Sequence, residues 1–195
     1  QYVKIIDFFT LLFEASQPYK NFEKQIIFRL NGVIQSHEGI SIKEKMIPLV
    51  KREPELIHGI RNIVHNALKF SKSNVDINLI TNSKKINLEI TDDGEGFPND
   101  ITSIIGEPFL KRSNFSLMDV NNRTSEEGMG LGLFIANILL EKTNGRLKFS
   151  NIKQIENDGK KRITGAKVEI SWERSSIEVL QRDKKAKMKE NPRNV

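Results

Sequence analysis

The stretch HGIRNIVHNALKF, residues 58–70, decides the predicted fold, and Pro54 stands just before it. Proline is favoured in the first turn of a helix, where its missing N–H has no partner to lose. At about 100° per residue the apolar side chains fall on one broad arc, which predicts an amphipathic helix. That arc contains Leu56, Ile57, Ile60, Ile63, Val64, Ala67 and Leu68.

The opposite side of this helix carries Asn62, Asn66, Lys69 and Phe70, with Gly59 among them. A polar outer face is ordinarily just solvated. Two asparagines one turn apart are nevertheless unusual, because asparagine is a mediocre helix former. Amide oxygens suit Mg²⁺ and a lysine suits phosphate, so the polar side is also a candidate site for an anion with a metal.

Length and composition narrow the class of protein. The chain has 195 residues, enough for one domain with a buried core, and its lack of cysteine excludes a disulfide or a thiolate metal site. The net charge is +6, but a basic tail at 173–195 contributes much of it and aromatic residues are not interleaved with the basic ones. We therefore expect no nucleic-acid partner. No apolar run reaches the roughly 18 residues of a membrane span.

The remaining periodic segments predict the order helix, strand, strand, helix, hairpin, lid, helix, hairpin. This order predicts an α+β fold, a two-layer sandwich in which helices cover one face of a single mixed, mostly antiparallel sheet. Residues 33–45 are predicted to be irregular. The predicted helices other than the asparagine-bearing one are 6–22 and 128–145, with Gly145 placed to cap the latter, and the predicted strands are 24–30, 46–50, 75–81, 85–91, 146–151 and 165–172.

A first glycine cluster follows the strand 85–91. Asp92 stands at the strand end, and Gly94 and Gly96 follow it at alternate positions. Glycine permits close approach of the backbone to a ligand. The carboxylate can accept a hydrogen bond from an amino group such as that of adenine, although a DxGxG stretch is more often a simple turn.

A second glycine cluster opens the helix at 128–145. Gly128, Gly130 and Gly132 alternate there, and the N–H groups of a helix N-terminus favour a phosphate. Between the two clusters, residues 110–127 are polar and show little periodicity. A loop of that length inside a compact domain is usually functional, so it is predicted to be a lid.

Together these motifs resemble a known family in both content and order. They are an asparagine box (Asn62-x-x-x-Asn66-Ala67-x-Lys69-Phe70), a first glycine box (Asp92-x-Gly94-x-Gly96-Phe97), a phenylalanine box (Gly106-Glu107-Pro108-Phe109) and a second glycine box (Gly128-Met129-Gly130-Leu131-Gly132-Leu133). Residues 7–172 thereby resemble the ATP-binding catalytic domain of sensor histidine kinases, in the superfamily shared with gyrase, Hsp90 and MutL, whose fold is of the Bergerat type. PELIHG, GEP and EGMGLGLFIA further resemble RegB/PrrB-type redox-responsive kinases. The redox cysteine of those kinases is not in this chain, so redox sensing is not carried over.

The resemblance implies ATP and Mg²⁺ as ligands. Asn66 would coordinate Mg²⁺, Asn62 and Lys69 would contact phosphate or its water shell, and Phe70 would pack against adenine. Asp92 would accept from the adenine amino group. The remaining implied nucleotide contacts are Gly94, Gly96 and Phe97 beside the base, Lys111 or Arg112 approaching the γ-phosphate from the lid, and Gly128, Gly130, Leu131, Gly132 and Leu133 near the phosphates.

The resemblance also implies partners. The acceptor histidine would lie on an upstream dimerising helical hairpin, and a response regulator would receive the phosphoryl group. His37, His58 and His65 are expected to be exposed residues rather than acceptors. Residues 1–172 would form the catalytic domain and 173–195 a basic, flexible tail. This domain alone is expected to be monomeric and inactive, as the cytoplasmic part of a homodimeric protein anchored in the bacterial inner membrane.

Two other functions compete with the kinase. An ATP-hydrolysing clamp of the gyrase, Hsp90 or MutL type carries a glutamate one turn before the metal-binding asparagine, as general base for water. Asn62 takes that position here, and a missing base typically costs about 10²–10⁴-fold in rate. A module that binds nucleotide without chemistry is the second alternative. The intact Asn66, Asp92 and glycine boxes argue against it.

Overall fold

A computed structural model of the chain describes residues 4–19, 23–35, 47–98, 129–157 and 159–180. The predicted lid, the phenylalanine box and His37 lie outside these ranges. The elements are β1 (Ile5–Asp7), α1 (Phe8–Ser16), a 3-10 turn (Gln17–Tyr19), β2 (Gln25–Leu30), β3 (Val33–Ile34), β4 (Leu49–Lys51), α2 (Pro54–Phe70), β5 (Asn74–Thr81), β6 (Lys85–Asp92), α3 (Met129–Lys142), β7 (Arg146–Ile155), β8 (Lys161–Glu173) and α4 (Arg174–Ile177).

The main sheet has six strands in the order β3-β2-β5-β6-β8-β7. β2 and β5 are parallel, and every other pair in this sheet is antiparallel. β1 and β4 form a separate antiparallel pair. The predicted mixed, mostly antiparallel α+β fold is therefore confirmed.

The core lies between one face of this sheet and the helices. Alternate side chains of β5 and β6 are buried, as expected for strands with one covered face. The predicted apolar arc of α2 is its buried face, and each of its members is at most 5% exposed. Burying a large aliphatic side chain contributes roughly 1.5–3 kcal/mol, so this face fixes α2 against the sheet.

The first predicted helix, 6–22, is wrong at both ends. Ile5–Asp7 is extended and pairs with β4. Asp7 then caps α1, because its carboxylate accepts the backbone N–H of Thr10 at 2.8 Å and the Thr10 hydroxyl at 2.5 Å. The α-helix ends at Ser16 and a 3-10 turn follows. A strand and a cap thus replace the first predicted turn.

Two glycines pack closely against neighbouring side chains. Gly59 is buried rather than on the polar side of α2, because a Cβ there would lie 2.6 Å from Leu140 Cγ of α3. Gly145 caps the end of α3 as predicted, since its N–H donates to the Leu140 carbonyl at 2.9 Å, although the left-handed conformation is taken by Asn144 (φ 62°). Gly145 also leaves room for Trp172, whose Nε1 would lie 2.7 Å from an added Cβ. Both glycines are therefore required by close packing.

Two further segments differ from the prediction. Val33–Ile34, expected to be irregular, form β3 because they continue the turn after β2 as a short antiparallel pair. Beyond the predicted boundary at 172, α4 follows β8, and Val179 donates its N–H to the Leu49 carbonyl at 2.8 Å. Packing of the chain thus continues to Val179. No helix in the described part of the chain is long and apolar enough to cross a membrane.

Candidate functional site

The polar side of α2 carries the residues that its helical periodicity predicts there. Asn62 and Asn66 are partly buried and Lys69 is exposed, with its Nζ 4.9 Å from the centroid of the Phe70 ring. Phe70 is partly buried and packs against the core. Among the described residues, neither amide has a hydrogen-bond partner. Two partly buried amide oxygens to which no described residue donates fit the hard-ligand chemistry of Mg²⁺.

Asp92 is the one buried carboxylate in the described part of the chain, at 8% exposure. Its Oδ1 accepts the N–H of Gly94 at 2.9 Å and the N–H of Ala166 at 3.2 Å. Both hydrogen bonds end on the same oxygen, and no residue in the described part of the chain donates to Oδ2. Burial raises the pKa of Asp92, against the opposing effect of the two N–H groups.

The end of α2 and the glycine loop, residues 92–97, are in direct contact. A Cβ on Gly94 would lie 2.3 Å from the Phe70 carbonyl oxygen. On the other side of the loop, a Cβ on Gly165 would lie 1.8 Å from the Asp92 carbonyl oxygen. Both positions require glycine, because a Cβ would overlap a backbone oxygen that cannot move far enough to make room. The fold therefore brings the asparagine-bearing helix and the buried carboxylate together.

The ring of Phe97 is buried rather than open to a ligand. It is 4% exposed and packs edge-on against Phe149, with 5.8 Å between ring centroids. Gly96 precedes it in the left-handed conformation, with φ at +84°. This arrangement favours an anchoring role for Phe97, in place of the predicted nucleotide contact.

The predicted phosphate-binding helix begins at Met129, and Gly130 and Leu131 lie in its first turn. A Cβ on Gly132 would meet no atom of the described residues within 4 Å, so that part of the fold leaves space there. Leu133 is 2% exposed, which places its side chain in the core and leaves only its backbone for a ligand. Gly128, Lys111 and Arg112 lie outside the described residues.

We infer that this turn lies towards the Asn66 end of α2. The Gly59 contact with Leu140 pairs the first half of α2 with the end of α3, and the two helices are in extensive contact. An antiparallel packing of the two helices accounts for both observations. The start of α3 is thus at the same end of the domain as the glycine loop.

Two charged residues that the sequence pattern does not indicate, Lys24 and Asp93, fix the end of α2 and the chain after it. Lys24 Nζ donates to the carbonyls of Leu68 at 2.6 Å and Ser71 at 2.5 Å. In many helices, carbonyls at the C-terminal end accept backbone N–H groups that follow a residue in the left-handed conformation. Ser71, the residue after α2, is instead extended (φ −63°, ψ 156°), and the Lys24 ammonium group supplies donors there. A lysine there also complements the helix dipole. Only the fold could reveal this contact, because Lys24 is distant in sequence.

Asp93 binds the chain that follows this helix end. Its carboxylate accepts the backbone N–H groups of Lys72 at 2.7 Å, Ser73 at 3.0 Å and Asn74 at 3.1 Å. Partial burial acts to raise the pKa of Asp93, but these N–H groups outweigh it and lower the pKa below its ordinary value. The strand end that carries Asp92 is thereby joined to the start of β5.

Replacing Asp93 by alanine should destabilise the domain by about 1–2 kcal/mol, because three backbone donors lose a charged acceptor at a partly solvated site. A lowered carboxyl pKa contributes stability above the unfolded-state pKa, and this is lost as pH falls through the folded-state value. The difference from wild type should therefore shrink in acid. Urea unfolding at neutral and acidic pH measures both effects.

The exposed neighbour Glu95 provides the matched control for this change. Glu95→Ala should alter the free energy of unfolding by less than about 0.5 kcal/mol. An Asp93→Ala domain as stable as the Glu95→Ala domain at neutral pH would contradict the role given to Asp93.

Of the three histidines, His58 and His65 lie within the described ranges, and both are exposed as expected. They are on α2, and the ring of His65 stacks on Tyr19 with 5.1 Å between centroids.

Comparison with known proteins agrees with this arrangement. The family model described as "Histidine kinase-, DNA gyrase B-, and HSP90-like ATPase" matches residues 51–175. The sensor histidine kinase RegB of Cereibacter sphaeroides is 36% identical over 164 residues, covering 83% of this chain and 34% of RegB. The histidine-protein kinase ArlS of Staphylococcus haemolyticus is 28% identical over 131 residues, covering 64% of this chain and 28% of ArlS. The chain spans about a third of the length of the curated relatives that it matches.

Solved structures show the same fold. The mycobacterial sensor histidine kinase MprB has a TM-score of 0.58 at 19% identity, covering 88% of this chain and 97% of that one. Full-length ShkA in complex with AMPPNP has a TM-score of 0.60 at 16% identity, covering 91% of this chain and 32% of that one. The family match spans more than half of the chain and includes α2, the glycine loop and α3. The chain is therefore a member of the histidine kinase-, DNA gyrase B- and HSP90-like ATPase family.

Proposed function

We propose that this chain is the Mg-ATP-binding catalytic domain of a two-component sensor histidine kinase. It presents the γ-phosphate of ATP to a histidine on a separate dimerisation domain of the same protein, and a response regulator then receives the phosphoryl group. The observation that carries the proposal is the buried carboxylate of Asp92, with one oxygen left for a ligand, against the end of the asparagine-bearing helix.

The adenine end of the nucleotide is assigned to the glycine loop. Asp92 Oδ2 accepts from the adenine amino group, while Oδ1 is already bonded to Gly94 and Ala166. The absence of side chains at Gly94 and Gly96 lets the base approach the backbone. Phe70 borders this space at the end of α2. A buried carboxylate discriminates strongly between bases, because a base without the amino group leaves the carboxylate without a hydrogen-bond partner.

The phosphate end is assigned to α2 and the first turn of α3. Asn66 supplies an amide oxygen to Mg²⁺, with Asn62 one turn earlier and Lys69 one turn later on the same side of the helix. The Mg²⁺ ion, when bound, neutralises charge on the phosphate oxygens. The free backbone N–H groups in the first turn of α3, that of Gly130 among them, face anions by the geometry of a helix start. Lys111 and Arg112 remain predicted contacts of the γ-phosphate.

This arrangement binds and orients ATP but supplies no nucleophile. Phosphoryl transfer needs an acceptor in line with the γ-phosphate. His58 and His65 are exposed residues of α2, and the ring of His65 lies against Tyr19. Asn62 stands where an ATP-hydrolysing clamp would carry its glutamate, and an amide cannot deprotonate water. These features favour a kinase domain over a clamp ATPase.

Incubated alone with γ-labelled ATP and Mg²⁺, the domain should acquire no stoichiometric label and should release little phosphate. Adding the dimerisation domain of the same protein, in one chain or in trans, should produce acid-labile, base-stable label on a histidine of that domain. An Asn66→Ala domain in the same mixture serves as the matched control and should transfer far less.

Two results would contradict this division of roles. Stoichiometric label on His37, His58 or His65 would place the acceptor within the chain. Rapid phosphate release by the domain alone would instead favour the clamp ATPase.

A further inference from the structure

The edge strand β7 carries an amide among its inward-facing residues. Leu147, Phe149 and Asn151 alternate along the strand on one side, and Phe149 is buried in the core. Asn151 is paired in register with Ala166 of β8, which is also buried. A polar side chain on a covered face costs free energy unless it is hydrogen-bonded, so the partners of Asn151 are informative.

Asn151 is bonded to both backbone groups of one residue in the glycine loop. Its Oδ1 accepts the N–H of Phe97 at 2.7 Å, and its Nδ2–H donates to the Phe97 carbonyl at 2.9 Å. The amide thus pairs with Phe97 as a neighbouring strand would. Gly96 packs beside it, since an added Cβ would lie 2.7 Å from Asn151 Oδ1 and 2.5 Å from Ile163 Cγ2.

The opposite end of the glycine loop is bonded to the residue paired with Asn151. Ala166 donates its N–H to Asp92 Oδ1 at 3.2 Å. The adjacent Gly165 packs on the Asp92 carbonyl, as the 1.8 Å distance from its added Cβ shows. A single pair of residues in the β7–β8 ladder therefore contacts both ends of the loop, Asp92 and Phe97.

We propose that Asn151 is a positioning residue for adenine recognition, which acts by fixing the glycine loop at Phe97 so that Asp92 is presented in its binding orientation. This inference rests on the proposed binding of ATP. Asn151 acts through the loop and not by touching the nucleotide. A loop that is already ordered loses less conformational freedom when the base binds, so the preformed loop raises affinity.

The test compares Asn151→Ala with Asn82→Ala in the complete 195-residue chain. Asn82 is the matched control, because its side chain also makes two hydrogen bonds to the backbone: its Oδ1 accepts the N–H groups of Lys84 and Lys85 at 2.8 Å each. It lies at the other end of β6 from Asp92. Calorimetric titration with ATP and with adenosine measures the effect on each variant.

Asn151→Ala should weaken ATP and adenosine by the same factor, about tenfold, because the loop acts on the base and not on the phosphates. Asn82→Ala should bind both as wild type does. Asn151→Asp provides a second variant: it retains an acceptor for the Phe97 N–H but turns an oxygen towards the Phe97 carbonyl, so it should also lose affinity. Without nucleotide, the Phe97 amide should exchange faster in Asn151→Ala, with the Ile90 amide unchanged.

The outcomes separate this inference from the proposed function. Wild-type protein that binds neither ATP nor adenosine would contradict the function itself. Wild-type binding together with unchanged affinities and unchanged Phe97 exchange in Asn151→Ala would overturn the positioning role alone. A loss confined to ATP, with adenosine unaffected, would also overturn it.

Discussion

Replacing Asp92 by asparagine is expected to remove most of the affinity for ATP without unfolding the domain. Asparagine can still accept from Gly94 and Ala166 through its Oδ1. Its Nδ2 donors would then face the adenine amino group, so that donors oppose one another. Loss of a hydrogen bond to a charged acceptor is worth about 1.5–3 kcal/mol, which corresponds to roughly 10–150-fold in affinity.

The same substitution should leave the free energy of unfolding unchanged or increase it. Burial raises the pKa of Asp92, so the folded domain binds this proton more tightly than the unfolded chain does. For such a carboxyl, the ionised form costs stability once the pH is above the unfolded-state pKa. Asparagine carries no charge to desolvate and removes that cost. Lost function with retained stability is the signature of a residue kept for binding.

Calorimetry with ATP and thermal unfolding without it measure the two effects on one preparation. Asp76→Asn is the matched control, because the Asp76 carboxylate lies on the opposite face of the sheet from Asp92 and is paired with Arg29. It should retain full affinity. Wild-type affinity in Asp92→Asn would remove Asp92 from the site, and gross unfolding would show that its role is structural.

The raised pKa also predicts a pH dependence for adenine binding. A protonated Asp92 no longer offers a charged acceptor, so affinity should fall as pH decreases through this pKa, starting at a higher pH than for an ordinary aspartate. Adenosine is the suitable ligand, since it has no phosphate that titrates. Asp92→Asn should bind adenosine weakly at every pH and lack this inflection.

Replacing Asn66 by alanine is expected to weaken Mg-ATP binding by at least about tenfold, which corresponds to 1.4 kcal/mol. The substitution removes an amide oxygen from the proposed metal site. It should not harm the helix, because alanine is the better helix former and Asn66 has no hydrogen-bond partner among the described residues. A change in affinity would therefore report on the ligand.

Titrations with and without EDTA isolate the metal contribution. In wild type, chelation should weaken ATP binding, whereas the affinity of Asn66→Ala should change much less. His58→Ala, an exposed position on the same helix, is the control and should behave as wild type. Equal Mg²⁺ dependence in Asn66→Ala and wild type would assign the metal to other ligands.

The elements that build the site follow from local sequence pattern. The apolar arc of α2 gives its buried face, and its bounds agree with the Pro54 start. The β5–β6 hairpin follows from two β-branched runs around a short polar turn. Asp92 is buried because it ends a strand whose alternate residues face the core. The spacing of apolar residues and the position of Asp92 at a strand end are sufficient to predict these features.

The residues that fix the site could not be found in this way. Lys24, Asp93 and Asn151 act on backbone groups far away in sequence, and no short motif encodes such pairs. A signal did exist for Asn151, which continues the inward alternation of Leu147 and Phe149. Angular position alone predicts that Gly59 lies on the polar side, because it does not reveal the close approach of α3.

The proposed function requires this domain to bind ATP through a buried carboxylate that recognises adenine. Calorimetric titration of the unmodified chain with ATP and with GTP, each with Mg²⁺, measures that recognition. We predict one ATP per chain and GTP weaker by at least about tenfold, because guanine presents a carbonyl where adenine presents its amino group, and that oxygen would face Asp92. Equal affinity for the two nucleotides, or no binding of ATP, would contradict recognition of adenine by Asp92.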